Sequence, residues 1–427
     1  MLSTILSAFR VPDIRKKLAF TALLLGLYRL GSHIPVPGVD VDAVNAVQKQ
    51  FGGGGVLNLL NTFSGGGLSR IALFALGIMP YITASIILQL LVVVVPSLEK
   101  LQKEGEVGQA RITQYTRYLT VGLAFAQSIG YVFLFKSFGQ SAGSGAPIIP
   151  KFDTPHVFMI VISLTAGTVL LMWMGELITQ RGIGNGISLM IFASIVARLP
   201  GGLQAWWTNP DQVFKVMLPF IALAVVAAVV FMQEGQRRIP IQYAKRVIGR
   251  RMSGGGQTYL PLRVNMAGVI PVIFAASIMA FPPTVGQLIQ QPWAQDLSNF
   301  FSPSKAPYVI GETIFIILFT YFYTAVTFNP VDQADNLKKY GGFIPGVRPG
   351  RPTAEFLDRI LARLTFPGAL YLAAIAALPT LLVATTGATR SFYFGGTSLL
   401  IVVGVALDTM KQLEAQLMMR NYEGFLK

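Results

Sequence analysis

The sequence predicts an all-α polytopic membrane protein: ten transmembrane helices in two inverted five-helix halves. Three observations predict it. The chain of 427 residues is 53% hydrophobic and only 12% charged, about half the charge of a soluble domain. Its apolar residues fall into ten runs near the ~20-residue length that crosses a bilayer. And one Gly-x-x-Pro segment occurs twice, in the second run of each half.

The expected spans, in order, are 18–36, 68–95, 113–136, 155–178, 183–203, 214–233, 264–289, 307–329, 364–386 and 392–413. Arg10, Arg15, Lys16 and Lys17 precede the first, which lacks a small-residue cleavage site and is followed by nine more. It therefore reads as a retained span rather than a signal peptide. The second starts in "SGGGLSR" and carries "GIMPYITASI" at its centre, where glycine and proline predict a kinked helix. The fourth and fifth are separated only by the turn "TQRGIGNG".

Ten spans put both termini on one side of the membrane. Of the 34 Lys and Arg, 25 then fall on that side and nine on the other. Basic residues accumulate in the cytoplasm, so both termini are expected there. Most of the +15 net charge belongs to the cytoplasmic loops, and two are long. Residues 234–263 hold seven basic residues and one acid, and residues 330–363 hold six and four. Loops of this length and charge suit docking to an anionic partner, whether RNA, an acidic protein surface or lipid.

An odd number of spans per half means that a duplicated unit is inverted in the membrane. The halves are 1–213 and 214–427. "GIMPYITASII" (77–87) aligns without gaps with "GVIPVIFAASI" (268–278), matching Gly77 to Gly268, Pro80 to Pro271, Ile82 to Ile273, Ala84 to Ala275 and Ile87 to Ile278. Gly/Pro-interrupted segments at corresponding positions of two halves point to a central pathway.

The span centres carry almost no charge. Arg29, Glu176, Glu312 and Asp408 lie toward span ends, where snorkelling accounts for them. That disfavours an ion-coupled transporter, which needs intramembrane relays. Isoleucine and small polar residues (Thr83, Ser85, Gln89, Gln127, Ser163, Thr165, Ser277) remain. Apolar constrictions close to water and ions by dewetting. There is no cysteine, the two histidines are far apart, and "GGGG" (52–55) and "SGGG" (64–67) lack a following Gly-Lys-Ser/Thr. No catalytic constellation, cofactor or metal is expected. A solute transporter and a non-conducting ribosome-docking scaffold remain as alternatives to a channel.

Eight segments in order carry a family resemblance: "GSHIPVPGVD" (31–40), "NTFSGGGLSRIALFALGIMPYITASIILQLL" (61–91), "EGEVGQARITQYTRYLT" (104–120), "LLMWMGELITQRGIGNGISLMIF" (170–192), "YAKRVIGRRM" (243–252), "LPLRVNMAGVIPVIF" (260–274), "FNPVDQADNLKKYGGFIPGVRPG" (328–350) and "FYFGGTSLLIVVGVALD" (392–408). Over nearly its whole length the chain resembles the bacterial SecY family, the channel subunits of the Sec protein translocase. Departures are minor, such as Pro283 in "AFPPT" and valine in "PGVRPG".

The resemblance implies an hourglass pore between the halves and a passive channel for unfolded secretory polypeptides in the bacterial plasma membrane. It implies a waist ring at Ile78, Ile82, Ile183, Ile187, Ile273 and Ile401. A plug at about 56–68 would include Leu57, Asn58, Leu59, Leu60 and Phe63, with Gly65, Gly66 and Gly67 as hinge. A lateral gate would lie between the second and third spans and the seventh and eighth, with Thr83, Ser85, Gln89, Gln127 and Ser277 as polar candidates. Arg237, Arg238, Lys245, Arg246, Arg250, Arg251 and Arg348 match residues that dock the motor ATPase SecA and the ribosome. SecE and SecG subunits, signal sequences, nascent chains and membrane lipid complete the expected partners.

Overall fold

The structure is a computed structural model. It describes residues 9, 11–48, 61–141, 147–208, 212–243, 246–248, 251–253, 257–288, 291–302, 305–386 and 396–425. Each expected span falls on a helix, and proline opens many of them. Proline's missing N–H is harmless in a first turn, and the residue before it is pushed out of the helical region.

Helix α1 (Pro12–Gly31) buries Leu24 and Tyr28. The short α2 (Val41–Gln48) follows. α3 (Met79–Val94) bends by 98° into the polar α4 (Pro96–Lys103) at Val95, which is extended before Pro96. α5 (Glu106–Ser141) and α6 (Thr154–Arg181) are long and apolar. α7 (Gly186–Val196), α8 (Leu199–Thr208) and α9 (Gln212–Glu234) lead into the first basic loop. After it come α10 (Ile270–Leu288), α11 (Pro292–Phe300), α12 (Ala306–Thr327), α13 (Pro330–Lys339), α14 (Arg351–Thr386) and α15 (Gly396–Phe425). Among the described residues six helical stretches are long and apolar enough to cross a membrane, or seven if the bent α3–α4 pair is one span.

The second span departs from expectation. Gly77 has φ +60°, a left-handed conformation no helix accepts, and helix begins only at Met79 with Pro80 as its second residue. Glycine and proline therefore start a helix here; they do not kink one. The sixteen residues of α3 cover about 24 Å, less than the ~30 Å hydrocarbon core. Residues 64–78 supply the remainder as buried turns around Leu68, Ile71 and Phe74. Irregular backbone at this depth is tolerated because protein covers it. Gly268, at φ +63°, repeats the arrangement ahead of α10 and Pro271.

Packing sorts the membrane helices into two sets. In one, α1, α3 and α7 pack on α6, and α3 and α6 on α5; in the other, α12 packs on α10 and α14, and α15 on α9 and α14. The sets meet along two seams, α10 against α3 and α5, and α7 against α15. One large apolar cluster runs across both sets.

The two basic loops are more ordered than loops. Strand β1 (Gln236–Tyr243) pairs with β4 (Gln257–Arg263), and a short pair β2 (Arg246–Ile248) and β3 (Arg251–Ser253) lies between them in sequence. The second loop adds β5 (Gly342–Phe343) to the free edge of β1, so the two loops share one three-stranded sheet. Ile239 and Leu262 pack with Phe328, Ile344, Leu357, Ile360 and Leu361 in a separate apolar core. α14 starts thirteen residues before the expected span at 364 and forms one wall of that core.

Candidate functional site at the pore waist

Four of the six candidate ring isoleucines, from three distant segments, belong to one large buried cluster. Ile78 (3% exposed), Ile82 (3%), Ile273 (4%) and Ile401 (0%) are buried in the large cluster, and Ile187 packs against it. The helix starts explain the placement. Ile78 caps α3, and the Ile82 N–H donates to its carbonyl at 3.1 Å, so the two sit one turn apart. Ile273 holds the place in α10 that Ile82 holds in α3. Asn185 caps α7, its Oδ1 accepting from Ile187 N (3.1 Å) and Ser188 N (3.3 Å), which fixes Ile187 in the first turn.

Ile183 is not with them. Helical spacing from Ile187 would place it on the same face, but Gly184 is left-handed at φ +86° and the helix has not yet begun. Ile183 packs instead with Ile14 and Leu413, and its N–H donates to Thr21 Oγ1 at 3.3 Å.

On the side of the basic loops the cluster opens into a cavity of about 130 Å³. Ile82, Ile187 and Ile273 line it together with Ser85, Gln89, Asn185, Ser188 and Tyr323. On the opposite side residues 61–67 form a tight knot. Gly66 N donates to Asn61 O (2.8 Å), Gly67 N to Ser64 O (3.1 Å), and Ser69 N to Asn61 Oδ1 (3.1 Å). Gly65 and Gly66 have φ of +65° and +89°; Gly67 does not take positive φ. Phe63 is buried in the large cluster. Two arginines hold the knot: Arg29 Nη1 donates to the Gly65 carbonyl, and Arg198 Nη1 to Thr62 Oγ1 at 2.5 Å. Leu57, Asn58, Leu59 and Leu60 lie outside the described residues.

The polar gate candidates bond mostly within their own helices, and Gln89 Oε1 is buried without a partner. Thr83 Oγ1 donates to Met79 O (3.0 Å), Ser277 Oγ to Ile273 O (2.7 Å), and Gln89 Nε2 to Ser85 Oγ (3.4 Å). Gln127 is half-buried on α5. Across the α3–α10 seam, Ser277 Oγ points at Met79 Sδ at 3.8 Å.

Of the basic candidates, Arg237 and Arg238 are exposed on β1, and Arg348 is exposed in the turn after β5. The shared sheet puts them in one unit. Arg246 and Arg251 stand on β2 and β3. Lys245 and Arg250 lie outside the described residues.

Sequence reasoning missed several polar contacts. Glu176 does not snorkel: Arg117 grips it with Nε at 2.9 Å and Nη2 at 2.6 Å, bridging α5 and α6. Tyr28 and Ser194 share a buried 2.5 Å hydrogen bond between α1 and α7. Pairs separated by 59 and 166 residues leave no local signal. The Asn185 cap and the proline starts did have one, since Asn before a helix and proline in its first turn are start signals.

The fold and this arrangement define a class: a helical membrane protein of two packed helix sets, with a buried apolar cluster between a polar cavity and an arginine-held segment. Comparisons with known proteins give the family. The SecY family model matches residues 72–410, and the chain belongs to the SecY family. It is 51% identical to "Protein translocase subunit SecY" of Streptomyces galbus and 48% to that of Mycobacterium bovis, over 100% of this chain and of each relative. Among solved structures, "The structure of a protein conducting channel" superposes with TM-score 0.63 at 19% identity, covering 93% of this chain and 91% of that one. "Sec61 in the Canine ribosome-channel complex from the endoplasmic reticulum" follows at 0.60, 18%, 93% and 91%. The protein is a protein-translocation channel of the membrane.

Proposed function

We propose that this channel is passive and gated, conducting unfolded secretory polypeptides through a ring of Ile78, Ile82, Ile187, Ile273 and Ile401 in an hourglass pore. The observation that carries the reading is the burial of these residues from separate segments in one cluster, flanked by a polar cavity and an arginine-pinned knot. Ten crossings, with both termini in the cytoplasm of a bacterial plasma membrane, fit the asymmetry of the basic loops. Residues 56–68 act as the plug. It moves away when Arg29 and Arg198 release residues 62–65.

The α3/α5–α10 seam is the lateral gate, through which apolar segments pass into lipid, and the α7–α15 seam is the hinge. Among the described residues the gate is held by apolar packing and a weak sulfur contact, so an apolar signal helix can replace what it breaks. SecA or a translating ribosome supplies the energy and docks on the shared sheet, with Arg237, Arg238 and Arg348 as its exposed cations and Lys245, Arg246, Arg250 and Arg251 in the same loop. SecE and SecG accompany the chain. The structural neighbour named above, from a ribosome-channel complex, supports a ribosome contact.

The chain lacks cysteine, which makes the test direct. A single cysteine at Ile82 is paired with one in a stalled secretory polypeptide, and a disulfide is expected. Its absence during active export in the same membranes overturns the conducting reading.

A further inference from the structure

Helix α11 (Pro292–Phe300) has no part in the waist. It joins the ends of α10 and α12 remote from the basic loops and lies back on α10. Gln291 is extended and Pro292 stands in the first turn, so the helix starts afresh there. Helical spacing puts Trp293, Leu297 and Phe300 on one stripe with Ala294 at its edge, and Gln295, Asp296, Ser298 and Asn299 on the rest. The protein uses only one edge of the stripe. Ala294 is fully buried and Leu297 half-buried, whereas Trp293 and Phe300 are 59% and 55% exposed. Two large apolar rings side by side on a polar helix call for a partner.

Helix rise gives the level of α11 in the membrane. Tyr323 and Ser188 line the same cavity beside the waist. At 1.5 Å per residue α12 covers about 26 Å from Tyr323 back to Ala306. The stretch Gly186–Thr208 covers about 29 Å from Ser188 to Trp207. Each length comes close to the ~30 Å hydrocarbon core, so α11, just before α12, and the exposed Trp207 reach the same boundary of it. Ile310, Ile314 and Leu318 form an exposed stripe on α12 that continues the apolar surface inward from that boundary. Lys305, exposed between α11 and α12, is placed to meet lipid phosphates.

We propose that α11 docks on the membrane itself, lying along the headgroup–acyl boundary of the leaflet opposite the basic loops. Trp293 and Phe300 enter the acyl layer, and Gln295 and Asn299 face water. The chemistry selects the partner. Tryptophan joins a large apolar ring to one N–H donor, which suits a boundary between acyl chains and the ester carbonyls of phospholipids. The surface lies apart from the conducting path, and the proposal needs only that α10 and α12 cross the membrane. Anchored at this depth, the α10–α12 hairpin slides in the membrane plane more easily than along its normal. Ile273 then keeps its level while the hairpin moves sideways.

The chain has four tryptophans, which makes the test optical. Trp173→Phe, Trp206→Phe and Trp207→Phe together leave Trp293 as the one emitter. The purified channel is placed in vesicles of phosphatidylcholine and phosphatidylglycerol. Phospholipid brominated near the top of its acyl chains is expected to remove roughly half or more of the Trp293 emission, and water-borne acrylamide only a small part of it. A second measurement needs no tryptophan change. The chain lacks cysteine, so Phe300→Cys and Gln295→Cys each carry a single nitroxide. The first is expected to be relaxed more by oxygen, which concentrates in the acyl layer, and the second more by a water-borne nickel chelate. Strong acrylamide quenching without bromolipid quenching, or nickel access at both labels, puts the stripe in water and overturns the proposal. Protection of Trp293 from both quenchers, or of the Phe300 label from both relaxants, means that protein covers the stripe, and overturns it as well.

Discussion

Gly77 and Gly268 adopt the same left-handed backbone, φ +60° and +63°, each two residues ahead of a helix whose second residue is proline. The repeat in the sequence is thus a repeat of a helix start, and Ile82 and Ile273 hold matching places because their helices begin alike. The two surroundings differ. A Cβ at Gly77 would lie 3.1 Å from Ser64 Cα and 3.3 Å from the Phe63 carbonyl, whereas one at Gly268 meets only Asp408 Oδ2, at 3.6 Å. Alanine at either site costs about 1–2 kcal/mol for the left-handed backbone. Gly77→Ala must in addition displace the 61–67 knot. Thermal unfolding of the purified channel should show Gly77→Ala as the more destabilised variant. Equal losses would mean that the knot yields freely.

The knot itself is held from outside by side chains 36 and 136 residues away in sequence, Arg29 on Gly65 and Arg198 on Thr62. Charge-assisted hydrogen bonds contribute about 1.5–3 kcal/mol each. Arg29→Leu and Arg198→Leu should each raise hydrogen exchange across residues 61–67 and leave α5 and α6 unchanged. They should also raise resting ion leak if the knot contributes to closure. Unchanged exchange at 61–67 would show that backbone turns alone hold it.

How much of this was legible follows from the range of the interactions. Apolar runs and the Gly-x-x-Pro repeat are local, and they located the helices and paired Ile82 with Ile273. The boundaries differ where two local rules compete: Pro80 inside an apolar run predicts a kink, whereas proline at a first turn opens a helix. Ile183 enters the ring through the family resemblance, and left-handed Gly184 interrupts the helix that would carry it beside Ile187. The union of the two basic loops through Gln242 and Phe343, across about a hundred residues, is written in no local pattern. Nor is the grip of Arg117 on Glu176, because neither residue's neighbourhood names the other.

That grip makes a prediction of its own. Glu176's side chain is 12% exposed and Arg117's 37%, between two membrane helices. Removing one partner leaves the other charged and poorly solvated, which costs up to about 3–5 kcal/mol in a fully buried pair and less at this partial exposure. Removing both leaves no orphan charge. Glu176→Gln and Arg117→Gln should therefore each destabilise more than the double variant, and a double-mutant cycle on unfolding midpoints measures the coupling. Additive losses would show that the pair is solvated well enough to contribute nothing.

The waist makes the sharpest demand. Ile82 and Ile273 are 3% and 4% exposed, on helices from different sets that meet along one seam. On the proposed reading apolar side chains there exclude water, and ions cannot pass without it. Asparagine at either position is smaller and polar, so it offers water both room and a partner where none exists now. Lowering the barrier by only about 1.4 kcal/mol multiplies passage about tenfold. Ile82→Asn and Ile273→Asn should each raise the resting conductance of the purified channel in planar bilayers, and the pair should raise it further. Ile183→Asn, which alters the separate cluster around Ile14 and Leu413, should not, although it will lower stability. Leak from Ile183→Asn equal to that from Ile82→Asn would place the seal elsewhere than among these isoleucines.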